Sequence, residues 1–86
     1  MSQTPRRNAF TFGGPAVYRI VVSGSIDASA SDCLGGMRVD TTSGEDDEPV
    51  TTLVGRLKDQ AQLAGVLNTI YEMHLPVLEV RKLADE

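Results

Sequence analysis

The stretch that decides the fold is residues 50–83, VTTLVGRLKDQAQLAGVLNTIYEMHLPVLEVRKL, where the apolar pattern changes from strand to helix and back to strand. Apolar residues recur at helical spacing in its middle part, which predicts a helix over residues 59–74. Asp59 is a good N-cap with Gln62 three residues later, as in a capping box, and Pro76 ends the helix because the residue before proline disfavours α geometry. The side chains expected on the buried side of this helix are Leu63, Val66, Leu67, Ile70 and either Met73 or His74.

The segments on either side of the helix are typical of strands. Residues 50–57 contain Gly55, which suggests a bulge or a close approach by the following helix. Residues 77–83 predict a last strand with Leu78 and Val80 pointing inward.

Two more strands precede this unit. Residues 16–23 are rich in Val and Ile and predict a strand in which Tyr18, Ile20 and Val22 share one face. Residues 37–42 alternate as a half-buried strand, and residues 43–49 form an acidic hairpin loop that Gly44 permits.

Residues 25–36 are open to two interpretations. Ser29 or Ser31 is a possible N-cap for a short helix over residues 32–34, which Gly35 and Gly36 would stop in the left-handed cap position. Alternatively, this segment is an irregular loop.

The resulting order is β, short α, β, β, long α, β, which is the order of a ferredoxin-like plait. Right-handed crossovers would place both helices on one face of a four-stranded antiparallel sheet. We expect the first and last strands, the most aliphatic ones, in the centre of that sheet. The predicted organisation is a flexible N-terminal segment over residues 1–15, one α+β domain over residues 16–83 and a frayed end over residues 84–86. In the N-terminal segment, Phe10 and Phe12 alternate and would suit a short edge strand or a contact with a partner.

The composition fits one small soluble domain. Of 86 residues, 41% are hydrophobic and 23% are charged, with a formal net charge of −4. No apolar run approaches the roughly 20 residues of a membrane span, so no membrane partner is expected. The single Cys33 excludes a disulfide framework. A single cysteine, together with the lack of an apolar signal segment near the start of the sequence, favours a cytoplasmic location.

Charge and aromatic content argue against nucleic acid as a partner. Residues 45–48, EDDE, carry the whole net negative charge of the chain, and nucleic-acid binding depends mainly on phosphate neutralisation. The RNA-binding plait also stacks bases on aromatic residues of its central strands. On the strands expected in the centre, only Tyr18 is aromatic, and it is predicted to point toward the core.

Several pieces of the chain resemble a group of small bacterial proteins, about this long and described as hypothetical. The resemblance covers residues 16–83 and is carried by the strand YRIVVSGSID (18–27), the turn SDCLGGM (31–37) and the segment 51–80. Its most characteristic parts are Ser31-Asp32 with residues 34–37, then residues 52–57, then Asp59-Gln60-Ala61. The resemblance implies a prokaryotic, stand-alone intracellular protein and transfers no catalytic residue.

The residues that carry chemistry are sparse, and we expect neither an enzyme nor a cofactor. A metal site needs three or four converging ligands, and the chain has one His and one Cys. Cys33 would need His74 as a base to act as a nucleophile. A small buried thiol and a His at a helix end are the preferred interpretation of this pair.

The favoured functional hypothesis is a non-enzymatic interaction protein that pairs through its open sheet face, with itself or with another protein. An apolar stripe bordered by charges usually marks an interface. The candidate contact residues are Val17, Arg19, Val21, Val77 and Arg81.

The alternative hypothesis is a small-molecule sensor that binds a metabolite at helix and loop ends of a dimer. The candidate residues are Leu34, Gly35, Gly36 and Asp59. A thin strip of small residues on the long helix, from Ala61 to Asn68, is expected to contact the short first helix.

Overall fold

The computed structural model describes residues 15–85, and its strands form where apolar and polar residues alternate. Four strands, one α-helix and two short 3₁₀ segments alternate along the chain. In chain order they are β1 (Ala16–Ser23), η1 (Ala28–Leu34), β2 (Arg38–Ser43), η2 (Glu45–Asp47), β3 (Pro49–Leu57), α1 (Gln60–Glu72) and β4 (Val77–Asp85). The predicted N-terminal segment with Phe10 and Phe12 lies outside the described residues, apart from residue 15.

The four strands form one sheet in the order β2-β3-β1-β4, with every neighbouring pair antiparallel. The predicted α+β class and four-stranded antiparallel sheet are therefore confirmed. The expectation that the last strand lies in the centre is wrong, since β1 and β3 are central and β4 is an edge strand. Because β3 occupies one side of β1, β4 pairs with the other side of β1.

One face of the sheet carries the core. Ile20 and Val22 of β1 pair with Leu53 and Thr51 of β3, and all four residues are fully buried. The helical segments cover these pairs with apolar side chains. The core cluster is Ile20, Val22, Ile26, Leu34, Met37, Leu53, Leu57, Val66 and Ile70.

A buried hydroxyl links the β1–η1 loop to the sheet. Thr51 Oγ1 accepts a hydrogen bond from the Ile26 N–H at 3.2 Å and donates to the Gly24 carbonyl at 2.7 Å. Thr41 Oγ1 lies 2.9 Å from Thr51 Oγ1. The Thr51 side chain therefore satisfies two backbone groups of a loop that belongs to no strand.

The uncertain segment after β1 is a 3₁₀ helix capped by Asp27. Asp27 Oδ1 accepts a hydrogen bond from the Ser29 N–H at 2.9 Å, so the expectation of Ser29 or Ser31 as N-cap is wrong. The reason is local geometry, because Asp27 has extended backbone angles while both serines lie inside η1. Gly35 ends the segment with φ 69°, in the left-handed conformation predicted for it.

Helix α1 begins as predicted and ends two residues earlier than predicted. Asp59 Oδ1 accepts from the Gln62 N–H at 2.8 Å, which confirms the N-cap. His74 has φ 62°, and the Leu75 N–H reaches back to the Ile70 carbonyl at 3.5 Å. This left-handed residue terminates the helix, leaving Met73 packed against the core and His74 exposed.

Gly55 permits a close approach, but from a different element than expected. The register of β3 with both neighbouring strands has no irregularity, so the glycine does not mark a bulge. An ideal Cβ at Gly55 would lie 3.0 Å from the Cα of Met37, the buried residue that precedes β2. The chain entering β2 therefore passes over Gly55, in place of the expected helix.

Candidate interaction surface

The largest exposed apolar side chains of the described residues cluster on β4. Val77 is 42% exposed, Leu78 is 58%, Val80 is 44% and Leu83 is 46%. We call these four residues the β4 apolar edge. Outside β4, Tyr71 of α1 is the remaining large apolar side chain of residues 15–85 that is exposed. Apolar patches of this kind usually mark contact surfaces.

The exposure of the β4 apolar edge follows from the position of the helices. Val80 pairs with Ile20, a core residue, and so lies on the covered side of the sheet. However, α1 packs against β3 and η1, which lie toward the other edge. The expectation that Leu78 and Val80 point into the core is therefore wrong as regards burial, because nothing in residues 15–85 covers them.

The backbone of β4 is paired on one side only within the described part of the chain. Its partner is β1, and no strand of residues 15–85 lies on its other side. A nine-residue edge strand presents a row of N–H and C=O groups that can pair with another strand. Exposed apolar side chains thus coincide with a strand that pairs on one side only within residues 15–85.

Four of the five predicted interface residues share the outer face of the sheet. Val17, Arg19 and Val21 are half-buried on the central strand β1, and Arg81 lies opposite Arg19 on β4. Val77 does not join them, because a register irregularity between Val21 and Val22 places it opposite Val22, a core residue. The structure therefore separates Val77 from the outer-face group and places it with the β4 apolar edge.

A charge pair lies on β4 on either side of Val80. Arg81 Nε is 2.9 Å from Glu79 Oε2, with the two side chains 62% and 32% exposed. The Glu79 Oε2 atom itself is buried and accepts no hydrogen bond of acceptable geometry from residues 15–85. The rest of the Glu79 side chain is 32% exposed, so a further donor can approach the carboxylate from outside.

The residues predicted to bind a small molecule lie near one another, but their polar groups are engaged. Gly35 faces the first turns of α1, where an ideal Cβ would lie 3.3 Å from Gln62 Nε2. The Leu34 side chain is fully buried in the core, and Asp59 serves as the helix cap. Gly36 is exposed with no atom within 4 Å of an ideal Cβ. No cavity is present among residues 15–85, so metabolite binding stays a prediction.

The residues considered for catalysis and metal binding are dispersed. Cys33 is exposed on η1, so the expectation of a buried thiol is wrong. The small residues Ala61, Ala64, Gly65 and Asn68 are exposed, and their expected contact with η1 stays a prediction. Across the described residues, no three His, Cys, Asp or Glu side chains converge as metal ligands would.

The alternation of apolar residues did not predict the exposure of Leu78. One signal was present: Val77 and Leu78 are adjacent, and two adjacent apolar residues cannot both follow the alternation of a half-buried strand. Such adjacency is compatible with the irregular register at that point.

The molecule is thus a small α+β domain with an open antiparallel sheet and an exposed edge strand. Residues 17–81 match the model of a protein family described as a domain of unknown function, DUF8691, and the chain belongs to that family. No curated protein and no solved structure matches the chain. The matched range extends from β1 into β4 and includes both Glu79 and Arg81. In residues 15–85, no helix has the length and apolarity needed to cross a membrane.

Proposed function

We propose that this chain is a non-enzymatic interaction domain that associates with itself through the β4 apolar edge. The observation that carries the proposal is the coincidence of four exposed apolar side chains with a strand paired on one side only within residues 15–85. Removing apolar surface from water contributes about 25 cal/mol per Å². Pairing the edge would satisfy backbone groups at the same time.

The small size of the domain also favours self-association. A chain of 86 residues buries roughly 60–65% of the surface that it exposes when unfolded. A second copy would cover the apolar residues that α1 leaves uncovered. We further propose that the architecture is a ferredoxin-like plait in which η1 replaces the first helix. This proposal rests on the order of the elements and the strand order β2-β3-β1-β4.

The outer-face residues remain a second possible contact surface of the same function. Val17, Arg19 and Val21 are half-buried, whereas the residues of the β4 apolar edge are more than 40% exposed. The structure therefore favours the edge over the face predicted from the sequence. A bacterial, cytoplasmic protein is the setting that the sequence resemblance and the single exposed Cys33 thiol support.

Light scattering with paired substitutions tests the proposal. The full chain is expected to be dimeric at high concentration and to dissociate on dilution. Val80→Asp places a charge in the centre of the β4 apolar edge, at a position that is 44% exposed, and is expected to give a monomer with an unchanged circular dichroism spectrum. Val21→Asp is the matched control on the outer face and is expected to remain dimeric.

The outcomes separate the two surfaces. If Val21→Asp disrupts the dimer and Val80→Asp does not, the contact is the outer face and the edge assignment is wrong. If Val21→Asp fails to fold, Arg19→Glu tests the same face at a half-buried position. A wild-type chain that is monomeric at every concentration contradicts self-association.

A further inference from the structure

We infer that the partner at the β4 apolar edge is a second copy of this chain, paired antiparallel to β4 with Val80 on a twofold axis. This inference rests on the proposed function and adds the register and the charge contacts. The two sheets would then join into one continuous sheet across the dimer.

Symmetry limits the possible registers. A twofold dimer uses the same surface on both copies, so β4 must pair antiparallel with itself. Directly opposed residues in an antiparallel pair lie on the same face of the sheet. The axis must therefore pass through a residue position, because an axis between two residues would oppose side chains of different faces.

Charge and the position of Pro76 select one position among residues 78–82. With the axis at Val80, Glu79 of each copy lies opposite Arg81 of the other copy, which gives two opposite-charge pairs. An axis at Glu79 or at Arg81 would oppose that residue to its own charge, and an axis at Lys82 would do the same. An axis at Leu78 would bring Pro76 into the ladder, where it has no N–H to donate.

The register also places a second guanidinium beside the partly exposed Glu79 carboxylate. Its buried Oε2 atom is 2.9 Å from Arg81 Nε without acceptable hydrogen-bond geometry. The guanidinium of the second copy has further N–H donors for this carboxylate. On the other face, Val80 would meet Val80 of the second copy, which removes the centre of the β4 apolar edge from water.

Disulfide cross-linking tests the position of the axis. In a Cys33→Ser background, Val80→Cys is expected to form an intermolecular disulfide under mild oxidation. Opposed residues have Cα atoms about 4.5–5.5 Å apart, within the range for a disulfide. Leu78→Cys is the matched control at a similarly exposed position. Its two copies would lie four residues apart along the strand, about 13 Å, which is too far to cross-link.

Charge exchange between two variants tests the contacts. Glu79→Lys and Arg81→Glu are each expected to weaken their own dimer by about tenfold or more, because two like-charge pairs form across the axis. Mixing the two variants is expected to restore association as a heterodimer. The introduced lysine of one variant then faces the introduced glutamate of the other, and the native Arg81 of the first faces the native Glu79 of the second. A change in the monomer alone would not produce this recovery.

These experiments distinguish a wrong register from a wrong proposed function. A wild-type dimer in which Leu78→Cys cross-links and Val80→Cys does not overturns the register and leaves self-association intact. A wild-type dimer whose two charge variants do not recover on mixing overturns the charge contacts. A wild-type monomer overturns both the inference and the proposed function.

Discussion

Ile20 has two direct partners in the sheet, and they have opposite environments. Leu53 on one side is fully buried, whereas Val80 on the other side is 44% exposed. All three are apolar residues on the same face of adjacent strands. The difference lies in what covers them, because α1 and η1 lie over the part of the sheet around β3 and leave β4 uncovered.

The residues that stabilise the fold are therefore different from those available for association. The strands β2, β3 and β1 form what we call the covered half of the sheet. They supply the buried strand residues, including Leu53, Leu57 and Thr51. The β4 half contributes an exposed strand whose apolar side chains stabilise the monomer little. We therefore expect mutations in the covered half to change the free energy of unfolding, and mutations in β4 to change association.

The largest expected effect comes from replacing leucine with alanine at a buried position and, for comparison, at an exposed position of β4. Leu53→Ala removes a fully buried side chain and is expected to cost about 3–4 kcal/mol of unfolding free energy. Leu78→Ala removes a side chain that is 58% exposed and is expected to cost about 0.5 kcal/mol in dilute protein. Urea unfolding at two protein concentrations measures both values, and only the Leu78→Ala cost should grow with concentration. Equal costs in dilute protein would show that β4 is part of the core.

A second pair of variants compares the two faces of β3. Thr51→Val removes the hydroxyl that bonds the Ile26 N–H and the Gly24 carbonyl. We expect a cost of about 2–3 kcal/mol, because one buried and one partly buried backbone group lose their partner. Thr52→Val is the neighbouring control on the outer face and is expected to change stability by about 0.5 kcal/mol or less. Thr51→Ser keeps the hydroxyl and should recover most of the loss. Equal costs at Thr51 and Thr52 would mean that the hydrogen bonds contribute little to stability.

The third comparison uses two glycines that differ in what surrounds them. Gly55→Ala places a Cβ 3.0 Å from the Cα of Met37, and the backbone shift is expected to cost about 1–2 kcal/mol. Gly65 lies on α1 with no atom within 4 Å of an ideal Cβ, so Gly65→Ala is expected to stabilise the protein by about 1 kcal/mol. Thermal unfolding should move in opposite directions for the two variants. A gain in stability at Gly55 would show that Met37 moves aside freely.

The parts of the fold that were predictable depend on interactions between residues close in sequence. The cap of Asp59 with Gln62 acts over three residues, and the alternation of β1 is visible in eight. The place of β4 at the edge depends on which side of β1 was already occupied, and the alternation within β4 carries no information about that. The burial of Val80 likewise depends on where α1 lies, which no local pattern specifies.

In the candidate site, too, some features were predictable from the sequence and others were not. Alternation correctly separated Val17, Arg19 and Val21 from the core residues of β1, and their role in a contact stays a prediction. Val77 was placed on the wrong face because a single register irregularity reverses the alternation beyond it. The contact between Met37 and Gly55 could not be predicted, since it joins residues 18 positions apart through the path of the backbone.

The smallest expected effect is at the rim of the covered half, where Asp27 caps η1. The Ser29 N–H and then the Ser29 hydroxyl hold the pKa of the Asp27 carboxyl below its usual value of 3.8. Because the folded pKa is lower than the unfolded one, the cap adds stability above the unfolded pKa and loses it as the pH falls through the folded pKa. The side chain is exposed, so solvent screening keeps the contribution small.

The pKa of Asp27 can be measured directly by following its carboxyl ¹³C chemical shift with pH. Asp27→Asn keeps an oxygen acceptor without a titrating charge. We therefore expect the variant to be less stable than the wild type at neutral pH and close to it in stability in acid. Ser29→Pro removes the N–H donor and should return the pKa of Asp27 toward its usual value. A folded-state pKa at or above 3.8 would mean that the Ser29 hydrogen bonds do not persist in solution. The 3₁₀ segment that covers the buried half would then have no stable start, and Leu34 would be held in the core by packing alone.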